Sequence, residues 1–186
     1  MATCGRPLSE KITNNKYSHV YFHKMLVIIG TNKMKGWCFM KVNECMCQDV
    51  TYVKPEDNLC TVAKLMSEKH IGCMPVCGNE NQIVGLVTDR DVLLRSVACD
   101  KDCSQTKVSE IMTTDVYCCN SDSDISEVQN MMSQWQVRRI PVVENSKLVG
   151  IITLGDLVNN QNISNQEVSQ TVNNICKCNQ DSKNNW

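Results

Sequence analysis

From Val42 onward the hydrophobic and polar positions fall into short runs whose spacing changes in a fixed order. Val50-Thr51-Tyr52-Val53 is a β-rich run, and Leu59, Val62, Ala63 and Met66 then stand at i, i+3, i+4 and i+7, which predicts a helix with one apolar stripe. Met74-Pro75-Val76 predicts a strand, Gly78-Asn79-Glu80-Asn81 a polar turn, and Gly85-Leu86-Val87-Thr88 a second strand. That strand runs into a helix from Asp89 to Val97, with Thr88 as N-cap and Asp91 at capping-box spacing. The same order then returns. Val116-Tyr117-Cys118-Cys119 is β-rich, and Ile125, Val128, Met132 and Trp135 make a helical stripe behind a cap at Asp124 with Glu127 three residues on. Ile140-Pro141-Val142-Val143 and Gly150-Ile151-Ile152-Thr153 read as strands around the turn Glu144-Asn145-Ser146, and a helix over Gly155 to Val158 follows, with Thr153 and Asp156 as its capping pair.

This is an internal repeat. A shift of 66 residues lays Glu44, Met46, Val50, Val62, Met66, Pro75 and Val76 on Glu110, Met112, Val116, Val128, Met132, Pro141 and Val142. After one deletion in the turn, Gly85, Thr88 and Asp91 fall on Gly150, Thr153 and Asp156 at a shift of 65. Each copy reads β-α-β-β-α. A unit of this size cannot cover both its sheet and its helices, so the fold class is α+β, with two repeats packed about a pseudo-twofold axis. The predicted organisation is a first repeat over 40–100, a connector over 101–107, a second repeat over 108–160 and a C-terminal helix and tail over 161–186, the helix marked by Val168, Val172 and Ile175. Residues 1–39 show no sustained periodicity and read either as a disordered tail or, with Met40 as the native start, as a non-native extension. Mass spectrometry of natively expressed protein beginning before Met40 would contradict that expectation.

Composition narrows the function classes. Of the 186 residues, 42% are hydrophobic, enough for a core. The 19 Lys plus Arg against 20 Asp plus Glu leave a formal charge of -1, which provides no footprint for nucleic acid or an anionic membrane. The five apolar residues Met25 to Ile29 are too few for a membrane span or a signal-peptide core. The 13 cysteines are odd in number and form no paired C-x-x-C zinc knuckle, so mostly free thiols in a reducing cytoplasm are expected. His19 and His23 stand at i, i+4 without a third ligand nearby. No phosphate-binding glycine loop, nucleophile elbow or metal cluster with an activating base is visible, so an enzyme fits worst. Thr88/Asp91 and Thr153/Asp156 carry the candidate chemistry: they are helix caps first, and the same carboxylates could accept the hydroxyls of a ribose.

Four segments also carry a family resemblance: His70-Ile71-Gly72-Cys73-Met74-Pro75-Val76, Gly85 to Asp91, Gln136-Val137-Arg138-Arg139-Ile140-Pro141-Val142, and Gly150 to Asp156. Residues 42–158 closely resemble a tandem pair of CBS domains, the Bateman module, and 40–178 is similar to the small stand-alone two-CBS proteins of bacteria and archaea. The resemblance implies a cleft between the repeats for AMP, ADP, ATP, S-adenosylmethionine or NAD. It assigns Asp91 and Asp156 to ribose hydroxyls, and Thr88 and Thr153 to the ribose or first phosphate. Met74-Pro75 and Ile140-Pro141, with Val50 and Val116, would sandwich the adenine. Arg138 and Arg139 would face phosphates, with Arg90 as a further candidate. Gly72-Cys73 stand where the second repeat has Arg138-Arg139, so two unequal clefts are expected. The resemblance also implies a homodimer packed through helical faces and signalling to an unknown effector protein. The competing reading is a thiol- or metal-responsive interaction protein that binds no nucleotide.

Overall fold

The computed structural model describes residues 40–177. The N-terminal segment with His19 and His23, and the tail from residue 178, lie outside the described residues.

Helix α1 (Leu59–Lys69) starts where the Asn58 side chain accepts from the Thr61 N–H at 2.9 Å, and ends at His70, whose φ of 55° is left-handed. It buries Leu59, Val62 and Met66, while Ala63 of the predicted stripe faces solvent. Strands β1 (Cys73–Cys77) and β2 (Ile83–Thr88) pair antiparallel, and Thr88 caps the short α2 (Asp89–Arg95). The second repeat supplies α3 (Ile125–Trp135), the antiparallel pair β3 (Arg139–Glu144) and β4 (Lys147–Thr153), and α4 (Leu154–Asn159). The β3–β4 turn places Asn145 and Ser146 at φ 50° and 65°, the left-handed pair that a two-residue hairpin needs. Two further details depart from the sequence reading. Asp124 holds the N-cap position of α3 without capping it, because its carboxylate turns to Lys41 Nζ at 2.6 Å. Trp135, expected at the end of the buried stripe, is 43% exposed and stacks on Tyr117 with ring centroids 4.2 Å apart.

The predicted opening strands are reduced to single parallel bridges, Val53 with Val76 and Cys119 with Val142. The cause is Pro75 and Pro141. Val53 N–H donates to the Pro75 carbonyl at 3.0 Å, and the Cys77 N–H donates to Val53 at 2.9 Å. Extending the ladder by one more pair toward Thr51 would require an N–H on residue 75, which proline lacks. Cys119, Pro141 and Val143 repeat the arrangement at 3.1 and 2.9 Å.

The opening segment of each sequence copy packs in the core of the other. Thr113 exchanges backbone bonds with Leu86 at 2.8 and 2.9 Å, and Cys47 does so with Ile151 at 2.9 Å in both directions. Val108 and Ile111 accordingly complete the core of Leu59, Val62, Met74, Val76 and Val87. Val42 completes that of Val128, Met132, Ile140, Ile152 and Leu157. The crossing strand sits so close that a Cβ on Gly150 would meet Met46 Sδ at 2.6 Å and the Cys47 carbonyl at 3.0 Å. One on Gly85 would meet Met112 Sδ at 2.7 Å and the Thr113 carbonyl at 3.0 Å. Gln82 bridges Lys147, its own counterpart at a shift of 65, which puts this pair on the pseudo-twofold axis. The C-terminal helix α5 (Asn165–Cys176), capped by Ser164 and Glu167, lays Val168 and Thr171 against the second repeat and packs on α3.

Candidate functional site

A cleft of about 660 Å³ opens between the repeats. The first repeat contributes Val50 and Thr51 from its extended run, the end of α1 from His70, and the start of β1 through Pro75. The second contributes Arg138 and Arg139 at the start of β3 and the β4–α4 junction from Thr153 to Asp156. β4 delivers Thr153 to the mouth, where the chain turns into α4. Asp156 N–H donates to Thr153 Oγ1 at 3.3 Å, and Asp156 Oδ2 accepts from Thr153 N–H at 2.7 Å and from its hydroxyl at 2.8 Å. One carboxylate oxygen is thereby committed. Oδ1 has no partner among the described residues, and the half-buried group keeps an acceptor free to face the cleft. Arg138 is exposed and Arg139 half-buried, and among the described residues neither forms an ion pair.

The same cap in the first repeat is closed. Asp91 Oδ2 accepts from Thr88 N–H at 3.0 Å and from its hydroxyl at 2.7 Å, and Oδ1 meets Arg95 Nη1 at 3.3 Å. That guanidinium is anchored by the Ile111 carbonyl at 2.7 Å and Thr113 Oγ1 at 3.1 Å. At the counterpart of Arg95 the second repeat has Asn160, whose amide points instead to Met40 Sδ at 3.4 Å and Cys45 Sγ at 3.6 Å.

Of the residues singled out from the sequence, Val50, Pro75, Arg138, Arg139, Thr153 and Asp156 are brought together in this cleft. Thr88, Arg90, Asp91, Val116 and Pro141 occupy the pseudo-symmetric positions outside it. Met74 and Ile140 are corrected: both side chains are 0% exposed inside the cores, because successive strand residues face opposite sides and the prolines take the other side. The expected inequality of the clefts also has a different origin. Gly72-Cys73 and Arg138-Arg139 line the same cleft, so the missing first-repeat arginines do not deprive it of cations. The asymmetry comes from Arg95 against Asn160, and from Asp89, whose carboxylate lies where a Cβ on Gly72 would be 2.7 Å away and whose counterpart is the apolar Leu154. Cys47, Asp49, Ile151 and Leu154 also line the cleft and were missed. Cys47 and Asp49 are brought there by the exchanged opening segment, for which the periodicity carries no signal, and Ile151 and Leu154 by the β4–α4 junction.

The thiols are poor nucleophiles where they are buried. Burial pushes Cys73 up to about 11 against the opposing pull of Arg139, Cys118 to about 11 and Cys119 to about 12. The ten described cysteines are free, and no group of three or more His, Cys, Asp or Glu among the described residues is placed to hold a metal ion. Among the same residues no helix is long and apolar enough to cross a membrane.

Two α+β units exchanging their opening segments around a shared cleft are the architecture of a CBS pair, and the comparisons agree. The CBS domain family matches residues 42–98 and 108–162, and the chain belongs to that family. It is 37% identical over 134 residues to the CBS domain-containing protein YhcV of Bacillus subtilis, covering 72% of this chain and 94% of that one. A crystal structure of hypoxic response protein I with two coordinated zinc ions superposes with a TM-score of 0.60 at 32% identity, covering 64% of this chain and 97% of the other. The CBS domain pair of protein MJ0100, solved with 5′-methylthioadenosine and S-adenosyl-L-methionine, shares the fold at a TM-score of 0.59 and 23% identity, covering 64% and 94%.

Proposed function

We propose that the chain is a regulatory module whose inter-repeat cleft binds an adenosine ligand carrying an anionic group, with AMP or ADP fitting the charges better than S-adenosylmethionine. The observation that carries this is one cleft holding three complementary features: the apolar wall of Val50, Pro75 and Ile151, a carboxylate oxygen of Asp156 left free for a ribose hydroxyl, and the two guanidiniums of Arg138 and Arg139. ATP and NAD remain in the same chemical class and are resolved by the test. The module works by binding, without chemistry of its own. Its output runs through a second copy or an effector protein, because Leu93, Leu94 and Val97 expose 56%, 46% and 53% of their surface along α2 and the following turn, and Val158 exposes 54% on α4. Val158 also lines the cleft, so a ligand there and a partner on α4 would sense each other.

The test is a thermal-shift series with AMP, ADP, ATP, NAD and S-adenosylmethionine on the protein and on Asp156→Ala. Ligand at a hundredfold excess over Kd stabilises by about 2.7 kcal/mol, a visible rise in melting temperature. Losing hydrogen bonds to a charged acceptor weakens affinity by about 10- to 100-fold, so at the same ligand concentration the stabilisation should fall to about 0.4–1.4 kcal/mol in the variant. No rise with any of the five rejects the reading. The thiol-responsive alternative draws support from Cys47, which is exposed in the same cleft. Alkylation of Cys47 without effect on partner binding, alongside a nucleotide shift, counts against it.

A further inference from the structure

We infer that the residue four positions beyond the cap aspartate, Arg95 in the first repeat and Asn160 in the second, decides which repeat offers a carboxylate to a ligand. The inference rests on the reading of the cleft given above. The two caps are alike: Thr88 and Thr153 each engage one oxygen of Asp91 or Asp156, through the same backbone and hydroxyl bonds. They differ at the second oxygen, which Arg95 takes at 3.3 Å and Asn160 leaves without a partner among the described residues. Arg95 is held in place by Ile111 and Thr113, on the opening segment that crosses over from the other repeat. The counterparts of those two residues beside Asn160 are Cys45 and Cys47, and the carbonyl of residue 45 is present whatever its side chain. An arginine at position 160, starting from the extended C-cap of α4 where Arg95 ends its helix, would have the corresponding carbonyl and the corresponding carboxylate as its acceptors. Arg95 acts as a built-in substitute for the ligand hydroxyl, and Asn160 is the position at which that substitute is missing. Asn160 touches no ligand in this scheme; it sets the availability of Asp156.

The experiment is equilibrium dialysis with AMP on the wild type, Asn160→Arg and Arg95→Asn, with a crystal structure of Asn160→Arg. Asn160→Arg should fold, place its guanidinium within ion-pair distance of Asp156 and bind AMP at least 10-fold more weakly. Arg95→Asn should keep the wild-type affinity at the Asp156 cleft within twofold, which a general loosening of the fold would not do. AMP affinity unchanged in Asn160→Arg overturns the inference while leaving the function reading intact. If the wild type takes up no AMP, the assignment of AMP to the cleft fails. The crystal structure then decides the inference alone: a guanidinium engaged on Asp156 supports it, and one turned to solvent overturns it.

Discussion

The two repeats build the same hairpin, the same threonine cap and the same crossing contact, yet differ at several positions around those caps. Leu59, Val62, Met74 and Val87 have the apolar counterparts Ile125, Val128, Ile140 and Ile152, all of them buried. Around the caps the pairs are instead Arg95 and Asn160, Asp89 and Leu154, Arg90 and Gly155, and Thr51 and Tyr117. A core position feels packing from all sides, and small changes of volume there are costly, so both copies retain the same solution. A cap position feels packing on one side only and is free to diverge. The second repeat also has α5 over its core, for which the first has no counterpart among the described residues.

The exchange of opening segments offers the sharpest way to break this comparison. Ile111 belongs to the second copy in sequence but is 1% exposed in the core of the first. Ile111→Ala should cost about 2–5 kcal/mol in urea unfolding. Hydrogen exchange should show the amides of β1 and β2 losing more protection than those of β3 and β4. The opposite pattern would contradict the exchange. A smaller and symmetric effect is expected at the crossing glycines. Gly85→Ala and Gly150→Ala each push a methyl against a backbone carbonyl at 3.0 Å and should cost about 1–3 kcal/mol by similar amounts, measured as urea midpoints. Unequal costs would show that one crossing yields more easily.

The mildest test uses pH. Burial holds Cys119 up at about 12, whereas a cysteine of the unfolded chain ionises near about 8.5. Above that lower value the unfolded state sheds a proton that the folded state keeps, so the contribution is full below it and is lost as pH rises toward the folded value. Stability should fall from about pH 9 upward. Cys119→Val, which copies Val53 of the first repeat, should flatten the fall, as urea midpoints between pH 8 and 11 would show; an unchanged slope would place the effect elsewhere.

Read along the chain, the hydrophobic spacing at Leu59, Val62 and Met66 and at Val128 and Met132 was sufficient for the helices. The turn chemistry was sufficient for the hairpins, because both are set by neighbours a few residues away. The repeat itself, and through it the capping pairs Thr88/Asp91 and Thr153/Asp156, was also legible, since self-comparison needs only residue identities, whereas Arg138 and Arg139, whose counterparts are Gly72 and Cys73, were pointed to only by the family resemblance. Three features were decided by the tertiary structure. Prolines in the neighbouring strand, not the β-rich character of Val50–Val53, limit the opening runs to single bridges. Strand alternation sends Met74 and Ile140 into the cores and leaves Pro75 to the cleft. Which aspartate keeps a free oxygen depends on whether a side chain one turn later can reach it while anchored to a segment from the other repeat, 16 residues away in sequence for the Arg95–Ile111 bond. Local patterns carry information about local bonds, whereas the open site is defined by a bond that one repeat makes and the other lacks.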